Sequence, residues 1–207
     1  MPKVLVLFYS RTGNTARLAD ALAEGARSVR FTEVDLRRLD DLAPPSAIES
    51  VPGWQESRDL LSHKYRTLES VEQLAEYDAL VLGAPTRYGV MAAELKFLLD
   101  QTGPLWNRGA LVDKVGSAFT SVATGHGGHE TTLWSIMTPM ANLGLIIVPP
   151  GYTDAVMFAG GSPYGATSTT GGGSVAEGDL AAARHQGKRV ATVTGMITHA
   201  KSHHHQH

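Results

Sequence analysis

Residues 4–22 read VLVLFYSRTGNTARLADAL, and this stretch decides the fold. An apolar, β-type run from Val4 to Tyr9 stops at Ser10. A short loop of hydroxyls, an amide and a glycine follows, from Ser10 to Thr15. A helical pattern then begins, with Leu18, Leu22 and Ala26 on one face. Strand, hydroxyl-rich loop and helix N-terminus form the layout of an anion cradle, because the first helical amides lack internal acceptors and the helix dipole favours negative charge there. The loop has no G-x-x-x-x-G-K-[ST], which argues against a magnesium triphosphate, and no G-x-G-x-x-G, which argues against a pyrophosphate bridge. A terminal phosphate monoester fits the residues better. Gly13 removes a side chain that would block approach, and Ser10, Thr12, Asn14 and Thr15 can each donate a hydrogen bond. Taken alone, the loop reads equally well as a helix capped by Asn14 or Thr15 that binds nothing.

Further β-type runs recur at α/β spacing: Phe31–Leu36, Ala79–Ala84, Val115–Ala123 and Leu145–Val148. Helical patterns fall between and after them: Thr15–Arg27, Ser70–Glu76, Met91–Gln101, Glu130–Asn142 and Glu177–Ala200. The alternation predicts an α/β domain over residues 1–200, a doubly wound five-stranded parallel sheet of order 2-1-3-4-5 with helices on both faces. Residues 37–69, with Pro44, Pro45, Pro52, Gly53 and Trp54, and residues 159–175, AGGSPYGATSTTGGGSV, show no long periodic segment and read as two long loop insertions. The terminal KSHHHQH, residues 201–207, reads as a disordered His-rich tail outside the fold.

Composition narrows the partners. A net charge of −2 over 207 residues leaves no basic footprint for nucleic acid. The absence of cysteine removes thiol catalysis, disulfides and iron–sulfur ligation. The N-terminal apolar run is too short for a signal-peptide core and no run reaches the length of a membrane span, so the expectation is a cytoplasmic protein without integral membrane association.

In doubly wound sheets ligands bind beyond the carboxyl ends of the strands. After the third predicted strand comes GAPTRYG, residues 83–89, where Pro85, Thr86, Arg87 and Tyr88 offer a tight loop for a planar ring; taken singly, it is an ordinary turn with Tyr88 packing. After the fourth comes TSVATGHGGHETT, residues 120–132, whose Gly125, Gly127 and Gly128 permit close backbone approach. His126 and His129 lie three apart, but no carboxylate or cysteine cluster completes a metal site, and none is expected. One phosphate-type loop and two ring-type loops on one sheet edge point to flavin mononucleotide (FMN).

The segments KVLVLFYSRTGNT, GAPTRYG, FLLDQTGPLWNRGAL, TGHGGHETT, LIIVPPGY, GGSPYGATS and ARHQGKRVA carry a resemblance that spans residues 3 to about 195. The chain resembles the WrbA family of flavodoxin-like FMN-dependent NAD(P)H:quinone oxidoreductases. That resemblance implies a homotetramer with one FMN per subunit and a flavin seated at subunit interfaces. It implies two-electron reduction of quinones to hydroquinones by NADH or NADPH, for which the expected course is a ping-pong cycle of hydride transfer through flavin N5. The family's phosphate loop falls on Ser10, Arg11, Thr12, Gly13, Asn14 and Thr15. Its isoalloxazine loops fall on Pro85, Thr86, Arg87 and Tyr88 and on Ser121, Val122, Ala123, Thr124, Gly125 and His126. Its substrate-side tryptophan falls on Trp106, reaching the pocket of a neighbouring subunit; a buried interface tryptophan is the competing reading. Two positions depart from the pattern: Thr12 replaces an aromatic that meets the nicotinamide nucleotide in some members, and Asn142 replaces a flavin-pocket histidine. No catalytic side chain is expected, because the flavin carries the chemistry. The competing function is a flavodoxin-type electron carrier that docks to redox proteins, which the near-neutral charge and the insertions disfavour; a flavin-free scaffold of the same fold is a third reading.

Overall fold

The computed structural model describes residues 1–204. Strand β1 (Lys3–Phe8) is buried on both faces from Val4 onward, which is what a continuous apolar run at the centre of a parallel sheet requires. It pairs in parallel with β2 (Glu33–Arg38) on one side and β4 (Ala79–Arg87) on the other. The short β3 (Arg66–Thr67) extends the β2 edge. Strand β6 (Val115–Val122) continues the sheet beyond β4, and β7 (Ile146–Ile147) follows it, giving the order β3-β2-β1-β4-β6-β7.

Side chains alternate along β1. Val4, Val6 and Phe8 enter one apolar layer with helix α1 (Asn14–Arg27) and helix α7 (Glu177–His204). Leu5, Leu7 and Tyr9 enter the opposite layer with α4 (Ala93–Asp100) and α6 (His129–Asn142). The doubly wound flavodoxin-like order is therefore present.

Four expectations need correction. The fifth strand is split: β7 pairs with the start of β6, and β8 (Ala166–Thr169) pairs in parallel with its end, Phe119–Val122. Residues 159–175 are thus not a plain loop insertion, because Ala166, Thr167 and Ser168 are buried in the sheet. Their small and hydroxylated side chains carry no periodic signal, and only the free edge of β6 selects them as a strand. Residues 37–69 carry α2 (Pro45–Glu49) and α3 (Trp54–Lys64), a helix that buries only Trp54 and so shows no amphipathic stripe. The two-residue β5 (Val90–Met91) turns back antiparallel onto β4, so α4 begins at Ala93 rather than Met91. Finally, α7 runs to His204, so residues 201–204 continue a helix where a disordered tail was expected; residues 205–207 lie outside the described residues.

The break in the fifth strand is closed by one side chain. Gln186 of α7 is fully buried. Its Oε1 accepts from the Ala166 N–H at 2.6 Å, and its Nε2 donates to Ser117 Oγ at 2.7 Å and Ala118 O at 2.9 Å. A buried amide with these partners satisfies backbone groups that a continuous strand would have paired.

Helices α1 and α7 meet backbone to backbone. A Cβ at Gly187 would lie 1.9 Å from Leu22 O, and one at Gly25 would lie 1.9 Å from Arg184 O. Neither carbonyl can yield without moving a helix. Gly187→Ala is therefore expected to destabilise by about 1–3 kcal/mol, as overpacked cores do. Thermal unfolding checks this, with a fall in Tm on the order of 3–10 °C expected for a domain of this size.

Candidate functional site

The ends of β1, β4 and β6 open onto a single cleft of about 390 Å³, within the range of small-molecule sites. Arg11, Thr12, Asn14 and Thr15 line it from the first loop, Pro85, Thr86 and Arg87 from the second, and Ser121, Val122 and Ala123 from the third. The parallel sheet brings together segments some hundred residues apart because each crossover returns the chain to the same edge.

The helix after the first loop carries no side-chain cap. Gly13 takes the N-cap position in the left-handed region, φ 88°. Both residues able to cap it are engaged elsewhere. Thr15 Oγ1 shares a buried 2.8 Å hydrogen bond with Ser121 Oγ, and Asn14 Nδ2 donates to Gly173 O at 3.3 Å. Gly13 N–H donates to Ser10 Oγ, which folds the loop on itself. The first helical bond is Arg17 N–H to Gly13 O, so the amides before it have no intrahelical acceptor. Thr12, Gly13 and Asn14 also border an adjoining cavity of about 580 Å³ formed with Lys64, Tyr65 and Gly172–Ser174.

The second and third loops are stapled to each other. The Thr86 hydroxyl donates to Gly127 O at 3.2 Å and accepts from Gly89 N–H at 3.2 Å. Thr132 Oγ1 lies 2.8 Å from it. A Cβ on Gly128 would lie 2.6 Å from the Gly89 Cα, so glycine at 128 serves loop-to-loop contact. Thr86 thus contributes a wall and a staple, and its hydroxyl is committed within the protein.

Not every expected residue reaches the cleft. Tyr88 projects fully into solvent at φ 54°, and Thr124, Gly125 and His126 form an exposed loop beyond β6. Trp106, at the end of α5 (Gly103–Asn107), and Asn142 line a separate cavity of about 590 Å³ on the α4–α6 side with Lys96 and Thr138. The chain does not bring Asn142 to its own Ser10–Thr15 loop, because the C-terminal end of α6 lies at the opposite end of the helix from the cleft edge. Among the described residues, no group of three or more His, Cys, Asp or Glu could hold a metal ion.

Sequence reading missed the part that the first insertion plays. Val51 lines the cleft, as does Thr170 from beyond β8. Asp41, nearly buried, accepts from Tyr9 Oη at 2.8 Å and from Trp54 Nε1 at 2.9 Å, both on the same oxygen. Burial, and then the bond to Asp41, push the Tyr9 hydroxyl far above the ordinary tyrosine range, so it remains a donor. Trp54 in turn stacks under Arg11, whose Cζ lies 3.7 Å from the indole centroid. No short-range pattern announces this contact; a tryptophan inside a Pro-rich stretch was the only signal.

Residues 2–158 match the family model described as NADPH-dependent FMN reductase. An NAD(P)H dehydrogenase (quinone) from Rhodopseudomonas palustris is 44% identical over 203 residues, covering 92% of this chain and 96% of that protein. Proteins of the same description from Chromohalobacter salexigens and Trichlorobacter lovleyi are each 42% identical, covering 95% and 96% of this chain and 99% and 100% of their own lengths. The chain belongs to the WrbA family of NAD(P)H:quinone oxidoreductases. Among solved structures, a WrbA-like flavodoxin from Agrobacterium tumefaciens superimposes with a TM-score of 0.69 at 23% identity, covering 95% of this chain and 99% of that one. An archaeal flavodoxin does so at 0.60 and 19% identity, covering 93% and 99%. These two likenesses speak for the fold. FMN is the cofactor of this family, and the cleft at the ends of β1, β4 and β6 has the donors and the shape to hold it.

Asp41 is the joint between the insertion and the cleft. Asp41→Ala leaves the Tyr9 hydroxyl and the Trp54 N–H without acceptors, at about 1–3 kcal/mol for each donor that stays buried. A fall in Tm on the order of 5–15 °C is expected, with a change in tryptophan fluorescence as Trp54 loosens.

Proposed function

We propose that this WrbA-family chain holds FMN at the cleft formed by the ends of β1, β4 and β6 and reduces quinones with NADH or NADPH. The observation that carries the placement is the uncapped N-terminus of α1 beside that cleft. The helix offers free amides and the positive end of its dipole to a dianionic phosphate monoester. Thr12 adds a side-chain hydroxyl at the same turn. Nothing in the loop is shaped to bridge a second phosphate.

Beyond the phosphate, the walls suit a planar ring. Pro85–Arg87 and Ser121–Ala123 present backbone edges on two sides, and their mutual staple at Thr86 holds the spacing. When bound, FMN supplies the two-electron redox chemistry, which no side chain of this cysteine-free protein provides. The protein's part is to anchor the phosphate, hold the ring between two rigid loops and leave one face open to the substrates. An open face shared by nucleotide and quinone in turn gives double-displacement kinetics.

Steady-state oxidation of NADH and NADPH by FMN-loaded protein, with benzoquinone as acceptor, tests this. Parallel double-reciprocal lines are expected when both substrates are varied. Crossing lines would overturn the alternating use of one face, and negligible turnover would make the chain an electron carrier.

The reading extends to assembly. Trp106 is 59% exposed and lines a cavity that does not join the chain's own cleft. Trp134, Phe97, Tyr152 and Phe158 are also exposed, far more aromatic surface than isolated apolar residues account for. A homotetramer in which Trp106 and Asn142 of one copy face the cleft of another uses both facts. Light scattering is expected to give four copies per particle. Trp106→Ala is expected to raise the quinone KM about tenfold, the scale of losing an apolar wall from a pocket, while FMN fluorescence quenching stays as in the parent. A monomer with full activity would exclude the shared site.

A further inference from the structure

We propose that Arg11 receives a phosphate group of the incoming nicotinamide nucleotide and is aimed at it by Trp54 of the first insertion. The inference rests on the NAD(P)H:quinone reading above and adds to it the residue that grips the anionic part of the reductant.

Three arginines stand in the strand-end loops or beside Trp106: Arg11, Arg87 and Arg108. The structure separates them. Arg108 is committed to the Glu72 carboxylate and to Pro104 O. Arg87 lines the cleft, but its Nη1 donates back to Thr86 O at 2.9 Å. Arg11 also lines the cleft, and its guanidinium has no hydrogen bond or ion pair among the described residues. Its one fixed neighbour is the Trp54 ring, 3.7 Å from Cζ.

That arrangement has a chemical consequence. A guanidinium that stacks through its flat face keeps its N–H donors in its own plane, around the rim, free for a bidentate anion. The indole is not a loose platform. Trp54 is buried, opens α3 directly after the left-handed Gly53, and donates Nε1 to Asp41. Asp41 also takes the Tyr9 hydroxyl from the end of the central strand, and Arg58 Nε stands 3.9 Å from its other oxygen. The chain of contacts runs from the sheet through a buried carboxylate to an indole and then to a cation at the wall of the cleft. It holds a long, flexible side chain in one orientation before any ligand arrives, which lowers the ordering cost of binding.

The uncapped N-terminus of α1 offers the proposed FMN phosphate its own amide donors, whereas the Arg11 guanidinium is held against Trp54 of the insertion, in a cleft that Val51 also lines. A second anion arriving with the reductant is the ligand left for it. Such a nucleotide carries a bridging diphosphate and, in NADPH, a 2′-phosphate; the chemistry that Arg11 recognises is common to both.

The test uses the FMN-loaded protein and three variants, Arg11→Ala, Arg11→Lys and Trp54→Leu. NADP⁺ and NAD⁺ are titrated by calorimetry, the KM for NADPH and NADH is measured with benzoquinone, and FMN affinity is read separately by flavin fluorescence quenching on apoprotein. Arg11→Ala is expected to weaken nucleotide binding and raise KM by about tenfold or more, the scale of one charge-assisted contact, with FMN affinity within about twofold of the parent. A loss confined to NADP⁺ and NADPH assigns the 2′-phosphate; equal losses for both nucleotides assign the diphosphate. Arg11→Lys keeps the charge without the planar stack and is expected to restore only part of the affinity. Trp54→Leu is expected to weaken nucleotide binding with Arg11 still present, and if that variant does not fold, Arg11→Lys alone decides the aiming role. Unchanged nucleotide affinity in Arg11→Ala, or FMN affinity falling in step with it, overturns the proposal; full rescue by Arg11→Lys overturns the part assigned to Trp54. A parent protein that binds FMN but oxidises neither nucleotide overturns the NAD(P)H reading itself, while an active parent with an indifferent Arg11→Ala overturns only this inference.

Discussion

Parallel strands cannot be joined by tight turns. Each needs a crossover, and each crossover sends the chain back to begin the next strand at the same end. In this protein that constraint places Phe8, Arg87 and Val122, the last residues of β1, β4 and β6, on one edge. The cleft follows from it, because three loops that leave one edge in the middle of the sheet must wall a common space. The apolar content of β1 matters for the same reason: a strand buried on both faces holds its neighbours in a fixed register, and the loops inherit that precision.

The site is held by contacts that leave the ligand-facing groups free. Thr15 and Ser121 satisfy each other, Thr86 staples two loops, and Asn14 reaches the Gly173 carbonyl. Thr15, Ser121 and Thr86, which look like ligand donors in the sequence, therefore act as braces, and the donors left open include the backbone amides at the start of α1. Preformed amides at a helix N-terminus bind an anion without first breaking an internal bond. Gln186 plays the same part on the far edge, where it replaces missing strand bonds at the break between β7 and β8.

The two insertions differ in what they do to the sheet. The second supplies β8, which pairs with the end of β6 and so completes the edge against which the third loop rests. The first never enters the core as a layer. It fastens through β3 on the β2 edge, through Tyr65 on Phe8 and Asp20, and at Asp41, which joins Tyr9 to Trp54 and so carries the indole to the phosphate loop. The near-burial of that carboxylate is tolerable because two donors and the nearby Arg58 meet it.

Local sequence determined a great deal here. The run Val4–Tyr9, the turn at Gly13 and the 3.6-residue rhythm of α1, α6 and α7 are written in neighbouring residues, since strand burial, left-handed glycine and amphipathic faces all act over a few positions. The composition of the three strand-end loops named the cofactor class for the same reason. The tertiary structure alone decided three things. It made Ala166–Thr169 a strand, because only the free edge of β6 gives those small side chains a partner. It sent Trp106 and Asn142 to a cavity away from the cleft, because their helices occupy the other face and end of the sheet. And it set Arg11 on Trp54, a contact between residues more than forty positions apart that no periodicity encodes and that a buried carboxylate holds in place.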